Sequence, residues 1–197
     1  MDEKIWWYLV RSSGIVALVL LGACLLWGIL LTTRILRRID RPAWLLDLHR
    51  WLGALTVIFT VIHLLALVAD DYLTFGIVEL FVPFTSEWRP GAVAWGIMAF
   101  WLLFAVQFSS MFMRRLPRPV WRRFHLLGYL SFWTASIHGA TSGADSGHAL
   151  YRWGSLVGLS VLVMVTAFRL LPVPPRQPDP PTGTTPEPAP AGTVTGT

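Results

Sequence analysis

The side chains best suited to chemistry in this 197-residue chain are five histidines: His49, His63, His125, His138 and His148. A neutral imidazole binds a metal through one ring nitrogen and leaves the other to hydrogen-bond the protein. His49 and His63 are 14 residues apart, and His125 and His138 are 13 apart, each pair within a long apolar stretch. On a helix rising ~1.5 Å per residue, either spacing separates the two side chains by ~20 Å. If the two stretches run in the same direction, His49 comes level with His125 and His63 with His138. Two imidazoles at each of two depths suit a metal-centred planar cofactor better than zinc, whose structural sites take four ligands. Haem b is the economical reading, with both axial positions filled by histidine to give an electron-transfer centre. His148 has no partner at either depth and reads as a loop histidine.

Apolar spans must position these residues. The chain is 54% hydrophobic and 14% charged, with a mean hydropathy of +0.57, whereas soluble domains carry about 25% charged residues. Disorder is excluded for most of the length by the same balance. Five segments are long and apolar enough to cross a bilayer: Val10–Leu31, His49–Val68, Ala92–Met113, Trp121–His138 and Leu150–Leu171. A span needs ~20 such residues, and it must be helical, because continuous apolar runs lack the alternation of a barrel strand. The expected fold class is therefore all-α, a polytopic membrane helix bundle of about five transmembrane helices. One span separates the second from the fourth, so these two run parallel, as the histidine levels require.

Charge placement orients the bundle. A net charge of +5 could suggest a polyanionic partner, but the arginines fall in short blocks between apolar runs, which is a topological signal and gives no nucleic-acid partner. Arg34, Arg37, Arg38 and Arg41 occupy the first connection, and Arg114, Arg115, Arg118, Arg122 and Arg123 the third. The second carries Asp70, Asp71, Glu79 and Glu87 against Arg89 alone. The positive-inside rule then places the protein in the cell membrane with its N-terminus outside and its C-terminus cytoplasmic. Eleven tryptophans fit interfacial belts.

Several local features bear on the site. Residues 1–171 read as the membrane unit, and the Pro-, Thr- and Gly-rich stretch 172–197 as a disordered cytoplasmic tail. The single cysteine, Cys24, excludes an internal disulfide, a zinc finger or a cysteine-ligated cluster. It follows Leu21-Gly22-Ala23 as in a lipoprotein processing box, but the apolar run continues, so it reads as a packing residue in an uncleaved anchor. Phe75–Phe84 is apolar and too short to span, which suggests an interfacial or re-entrant piece over the outer helix ends. Haem propionates would meet arginine at the two membrane faces. Arg50, Arg122 and Arg123 flank the inner level, although topology alone explains the last two. Arg11, with Arg89 and Arg152 as weaker candidates, would serve the outer level. Phe132 and Trp133 lie between the levels and read chiefly as core aromatics. At 100° per residue a 14-residue spacing closes to within ~40°, but 13 residues leave ~140°. The fourth span is thus expected to be overwound, kinked or ended near His138, with Gly128 and Gly139 as adjustment points.

The segments Leu48-His49-Arg50 to Ile62-His63 and His125 to Ile137-His138-Gly139 resemble the ferric reductase-like transmembrane family. That family includes the membrane domains of ferric reductases and NADPH oxidases, and the haem-binding subunit of a bacterial methionine sulfoxide reductase system. The 14-then-13 spacing is a habit of the family, and Tyr8 to Gly14 is similar to its entry to the first span, where an arginine lies near the outer haem. The resemblance runs over about residues 5–171. It implies two haems b, ligated by His49 and His125 at the inner level and by His63 and His138 at the outer. It further implies electron transfer from a cytoplasmic flavoprotein or membrane quinol to an extracytoplasmic acceptor, ferric iron or a partner redox protein. No Gly-rich nucleotide loop is present, so this looks like the minimal bacterial form, an oxidoreductase component with a separate donor. An electron-supplying membrane anchor of a separate reductase is the alternative, and a non-redox transporter or assembly factor a further one.

Overall fold

A computed structural model describes residues 4–32, 43–70 and 75–142, together with residues 154, 157, 158, 160, 161, 163 and 167. Helices α1 (Lys4–Thr32), α2 (Ala43–Ala69), α3 (Ile77–Phe81), α4 (Pro90–Met111) and α5 (Arg118–Ser142) follow in order, and no strand occurs among the described residues. The protein is a helical membrane bundle. Stretches of 28, 27 and 22 residues in α1, α2 and α4 are long and apolar enough to span. Helix α5, which matches the fourth predicted span, has the length but carries Arg118, Arg122, Arg123 and a polar row through Ser131, Thr134 and Ser136. Its lower apolarity has a physical cause, because this helix turns polar groups toward its neighbours. The fifth predicted span and the 172–197 tail fall outside the described residues, apart from the seven single positions.

Burial follows the logic of lipid. Among the described residues the most enclosed side chains are small or hydroxylic: Ser13, Thr56, Ala66, Ala94 and Ser131, each at 2% exposure or less. Large apolar side chains such as Val19, Leu65 and Met111 lie outside. With hydrocarbon around the bundle, helices gain nothing by hiding leucine, and they pack where small residues allow close approach. The buried hydroxyls stay satisfied within the bundle: Thr56 donates to the Leu52 carbonyl at 2.8 Å and Ser131 crosses to the Ala99 carbonyl at 3.0 Å.

Packing is closest between α1 and α2 and between α4 and α5, with α1 also against α5 and α2 against α4. The four long helices thus form a ring in which α2 and α5 are diagonal partners. A turn over residues 112–117 makes α4 and α5 an antiparallel hairpin. Short helix α3 covers one end of the ring. Phe75 and Leu80 are buried with Val93 and Ile97 against Leu64, Leu67 and Trp88, so the Phe75–Phe84 stretch lies over the ends of α2 and α4.

Candidate functional site

Across the diagonal, each histidine of α2 meets one of α5. The rings of His49 and His125 have centroids 5.9 Å apart with planes at 67°. Those of His63 and His138 are 6.4 Å apart at 78°. Since His49 precedes His63 and His125 precedes His138, α2 and α5 run in the same direction, and the four histidines form two levels. Helix α5 stays helical to Ser142, one turn past His138. An end to the helix near His138 is therefore not how the 13-residue spacing is accommodated. Both α5 histidines instead lean on one face of α4, whose contacts with them, Ala92 and Ser110, are 18 residues or about five turns apart.

Each ring is held from the neighbouring helix of its pair, and His138 also from within α5. From α1, the Val10 carbonyl accepts a hydrogen bond from His63 Nδ1 at 2.7 Å, and Cys24 Sγ lies 3.5 Å from His49 Nδ1. From α4, the Ala92 carbonyl accepts from His138 Nδ1 at 2.8 Å, and Ser110 Oγ lies 3.4 Å from His125 Nδ1. Ser142 Oγ adds a contact to His138 Nδ1 at 3.0 Å. A carbonyl oxygen only accepts, so His63 and His138 carry their proton on Nδ1 and present a bare Nε2. The partners at the other level are compatible with the same tautomer. The Cys24 thiol faces the His49 carbonyl at 3.6 Å, and the Ser110 hydroxyl donates to the Val106 carbonyl at 2.8 Å. Their lone pairs are left for His49 and His125. Such a partner on the far nitrogen is what orients a metal-ligating histidine.

Glycines bring α1 and α4 this close. A Cβ at Gly96 would stand 2.7 Å from His138 Nδ1, one at Gly14 3.0 Å from His63 Nδ1, and one at Gly28 3.1 Å from His49 Cε1. None of these contacts was anticipated from the histidines alone. The signal was present, because Gly14 and Gly28 repeat on α1 with the 14-residue interval of His49 and His63 on α2. Trp121 was also missed. Its ring stacks on His125 at 5.0 Å and 25°, and its Nε1 is buried with no hydrogen-bond partner among the described residues.

The predicted arginines are placed less uniformly. Arg11 lies on α1 beside Val10, with its guanidinium 5.0 Å over the Trp7 ring. Arg50 forms an exposed ion pair with Asp47 at 3.1 Å, and Arg122 and Arg123 are exposed. Arg89, at the start of α4, donates to the Thr141 carbonyl at 2.9 Å and ties that helix to the end of α5 near His138. Phe132 reaches α1, 3.1 Å from where a Gly22 Cβ would be, as a packing aromatic would. Arg152 and His148 fall outside the described residues.

The donor set can be tested against the group it suggests. Two metal–nitrogen bonds of about 2.0–2.1 Å in line, plus a ring radius at each end, span about 6 Å. Both centroid separations fall there. Among the described residues no three histidine, cysteine or acidic side chains converge, so each level offers two imidazoles. That set suits a metal arriving with its own equatorial ligands. A porphyrin also brings carboxylates, acceptors of the kind the buried Trp121 N–H lacks. The residues fit haem.

Fold and paired histidines together define a membrane-embedded helical bundle of redox type. The chain belongs to the ferric reductase like transmembrane component family, whose profile matches residues 13–141. Comparison with curated proteins and with solved structures gives no match. Domains of this family generally bind haem and imply electron transfer at a membrane.

Proposed function

We propose that the protein is a bis-haem b conduit passing electrons across the cell membrane from a cytoplasmic donor, a flavoprotein or quinol, to an extracytoplasmic acceptor. The observation that carries this reading is the pairing of the four histidines: Nδ1 of each is engaged by α1 or α4, and the rings lie 5.9 and 6.4 Å apart in two pairs. His49 and His125 would hold the inner haem, and His63 and His138 the outer. When bound, haem supplies a one-electron iron couple at each level.

The chain's own residues do the rest. The Val10 and Ala92 carbonyls fix the orientation and tautomer of His63 and His138, and Cys24 and Ser110 back His49 and His125. Gly14, Gly28 and Gly96 let the backing helices approach. The apolar exterior of α1, α2 and α4 excludes water and ions along the path. The positive-inside rule, applied to the arginine-rich connections, supports an orientation with His49 and His125 toward the cytoplasm and the N-terminus outside. Arg11 would meet a propionate at the outer level. Arg50, paired with Asp47 on an exposed face, is the weaker candidate for the inner one.

A pyridine haemochrome assay on the purified chain is expected to give two haems b per polypeptide. His63→Ala or His138→Ala is expected to leave one, with the other spectral component unchanged. Purified protein without a b-type spectrum, or haem content indifferent to these substitutions, would overturn the assignment.

A further inference from the structure

The two levels are backed by unequal acceptors. His63 and His138 give their Nδ1 protons to main-chain carbonyls at 2.7 and 2.8 Å. His49 and His125 face a thiol sulfur at 3.5 Å and a hydroxyl at 3.4 Å. Sulfur is a weak acceptor, and the hydroxyl lies beyond the usual N–H···O range of about 2.7–3.2 Å. Both inner partners have also turned their own protons to other carbonyls, so neither is a charged or strongly basic group.

A histidine that donates strongly from Nδ1 is a more basic ligand at Nε2, and a more basic ligand favours the oxidised metal. Hydrogen bonding to ligands is one of the few means by which a protein sets a haem potential. His63 and His138 are the more deeply buried pair, which by itself favours the reduced, less charged iron there, and the hydrogen bonds act in the opposite sense. We propose that Cys24 and Ser110, by holding their imidazoles weakly, place the His49–His125 level at the higher reduction potential, so that a single electron in the half-reduced protein rests there. They are positioning residues acting through the ligands. The inference rests on the bis-haem reading. With haem bound, one electron given up by the flavoprotein or quinol donor would reduce the His49–His125 level and leave the His63–His138 level oxidised. Onward transfer would reverse that occupancy and would need an oxidant at the far side to take the electron. The inner level is then a holding position that discharges only when the acceptor is present.

Spectroelectrochemical titration of the full chain in detergent or nanodiscs, with dithionite as reductant and soluble mediators, tests this. The expected result is two b-type components, of which His63→Ala abolishes the lower. Cys24→Ala and Ser110→Ala should each move the higher component further up and leave the lower in place, while Ser110→Thr, which keeps the hydroxyl, should move neither. Two components in the opposite order, or shifts that are absent or common to both, would overturn the inference and leave the bis-haem reading standing. A chain with no b-type absorbance would instead overturn that reading.

Discussion

Single atoms decide whether the histidines can be ligands at all. An imidazole without a partner on its far nitrogen is free to rotate and change tautomer; these four are pinned by groups on the next helix. Glycine is what permits it at three of them. Gly96→Ala would bring a methyl to 2.7 Å from His138 Nδ1, and since the nearest atoms belong to a ring fixed by Ala92, the strain falls on the site. Overpacking of this kind costs about 1–3 kcal/mol. The expected outcome is loss of one of two b-type components, read as haem content falling toward one per chain. Gly128→Ala is the control. Nothing lies within 4 Å of a Cβ there, so haem content should stay at two and thermal stability should hold or rise by up to about 1 kcal/mol from helix propensity. The histidines and their spacing were readable in the sequence. Their acceptors were not, because two of them are main-chain carbonyls, which every residue carries and no residue type announces.

Helix pairs, rather than single helices, are the working elements. Each ligand-bearing helix is braced by its hairpin neighbour, α2 by α1 and α5 by α4, and Ser131 joins the second pair by a bond to the Ala99 carbonyl at 3.0 Å. Ser131→Ala is expected to cost about 0.6 kcal/mol, a typical value for a hydrogen bond between membrane helices, when unfolding is followed in mild detergent. Ser131→Leu should cost several times more, since the site is 1% exposed with no room for a larger group; equal effects would mean that the α4–α5 seam is looser than described. The spans of α1, α2 and α4 were legible from apolar length. Helical phase left α5 open, with overwinding, a kink or an end near His138 as the ways to close a 13-residue spacing, and the helix continues one turn past His138. Such arithmetic fixes the direction of a Cα–Cβ bond, whereas the contact is made by a ring at the end of two further torsions.

At the scale of the whole molecule, alternation of the spans turns a linear pattern into two levels. Arg114, Arg115 and Arg118 cluster where α4 passes to α5, while Asp70, Glu79 and Glu87 mark the opposite end, beneath which lie His63 and His138. This asymmetry predicts orientation. Cysteine introduced at Thr85 should react with a membrane-impermeant maleimide on intact cells, and cysteine at Arg115 only after permeabilisation. Cys24, the native thiol, lies within α1 and should stay unlabelled in both. The reverse pattern would invert the proposed direction of electron flow while leaving the histidine pairs untouched.

The sequence by itself determined the class of protein, the apolar stretches that became α1, α2 and α4, and the four histidines that lie within helices. These follow from composition, apolar length and spacing, which are properties of the chain read locally. Only the tertiary structure decided that α2 and α5 stand diagonally across a ring of four helices, so that their histidines meet while their backbones stay apart. It alone gave the rings their acceptors, carbonyls at one level and sulfur and hydroxyl at the other. Those contacts join residues 15 to 53 positions apart, and such pairings depend on how helices pack, which no local pattern encodes.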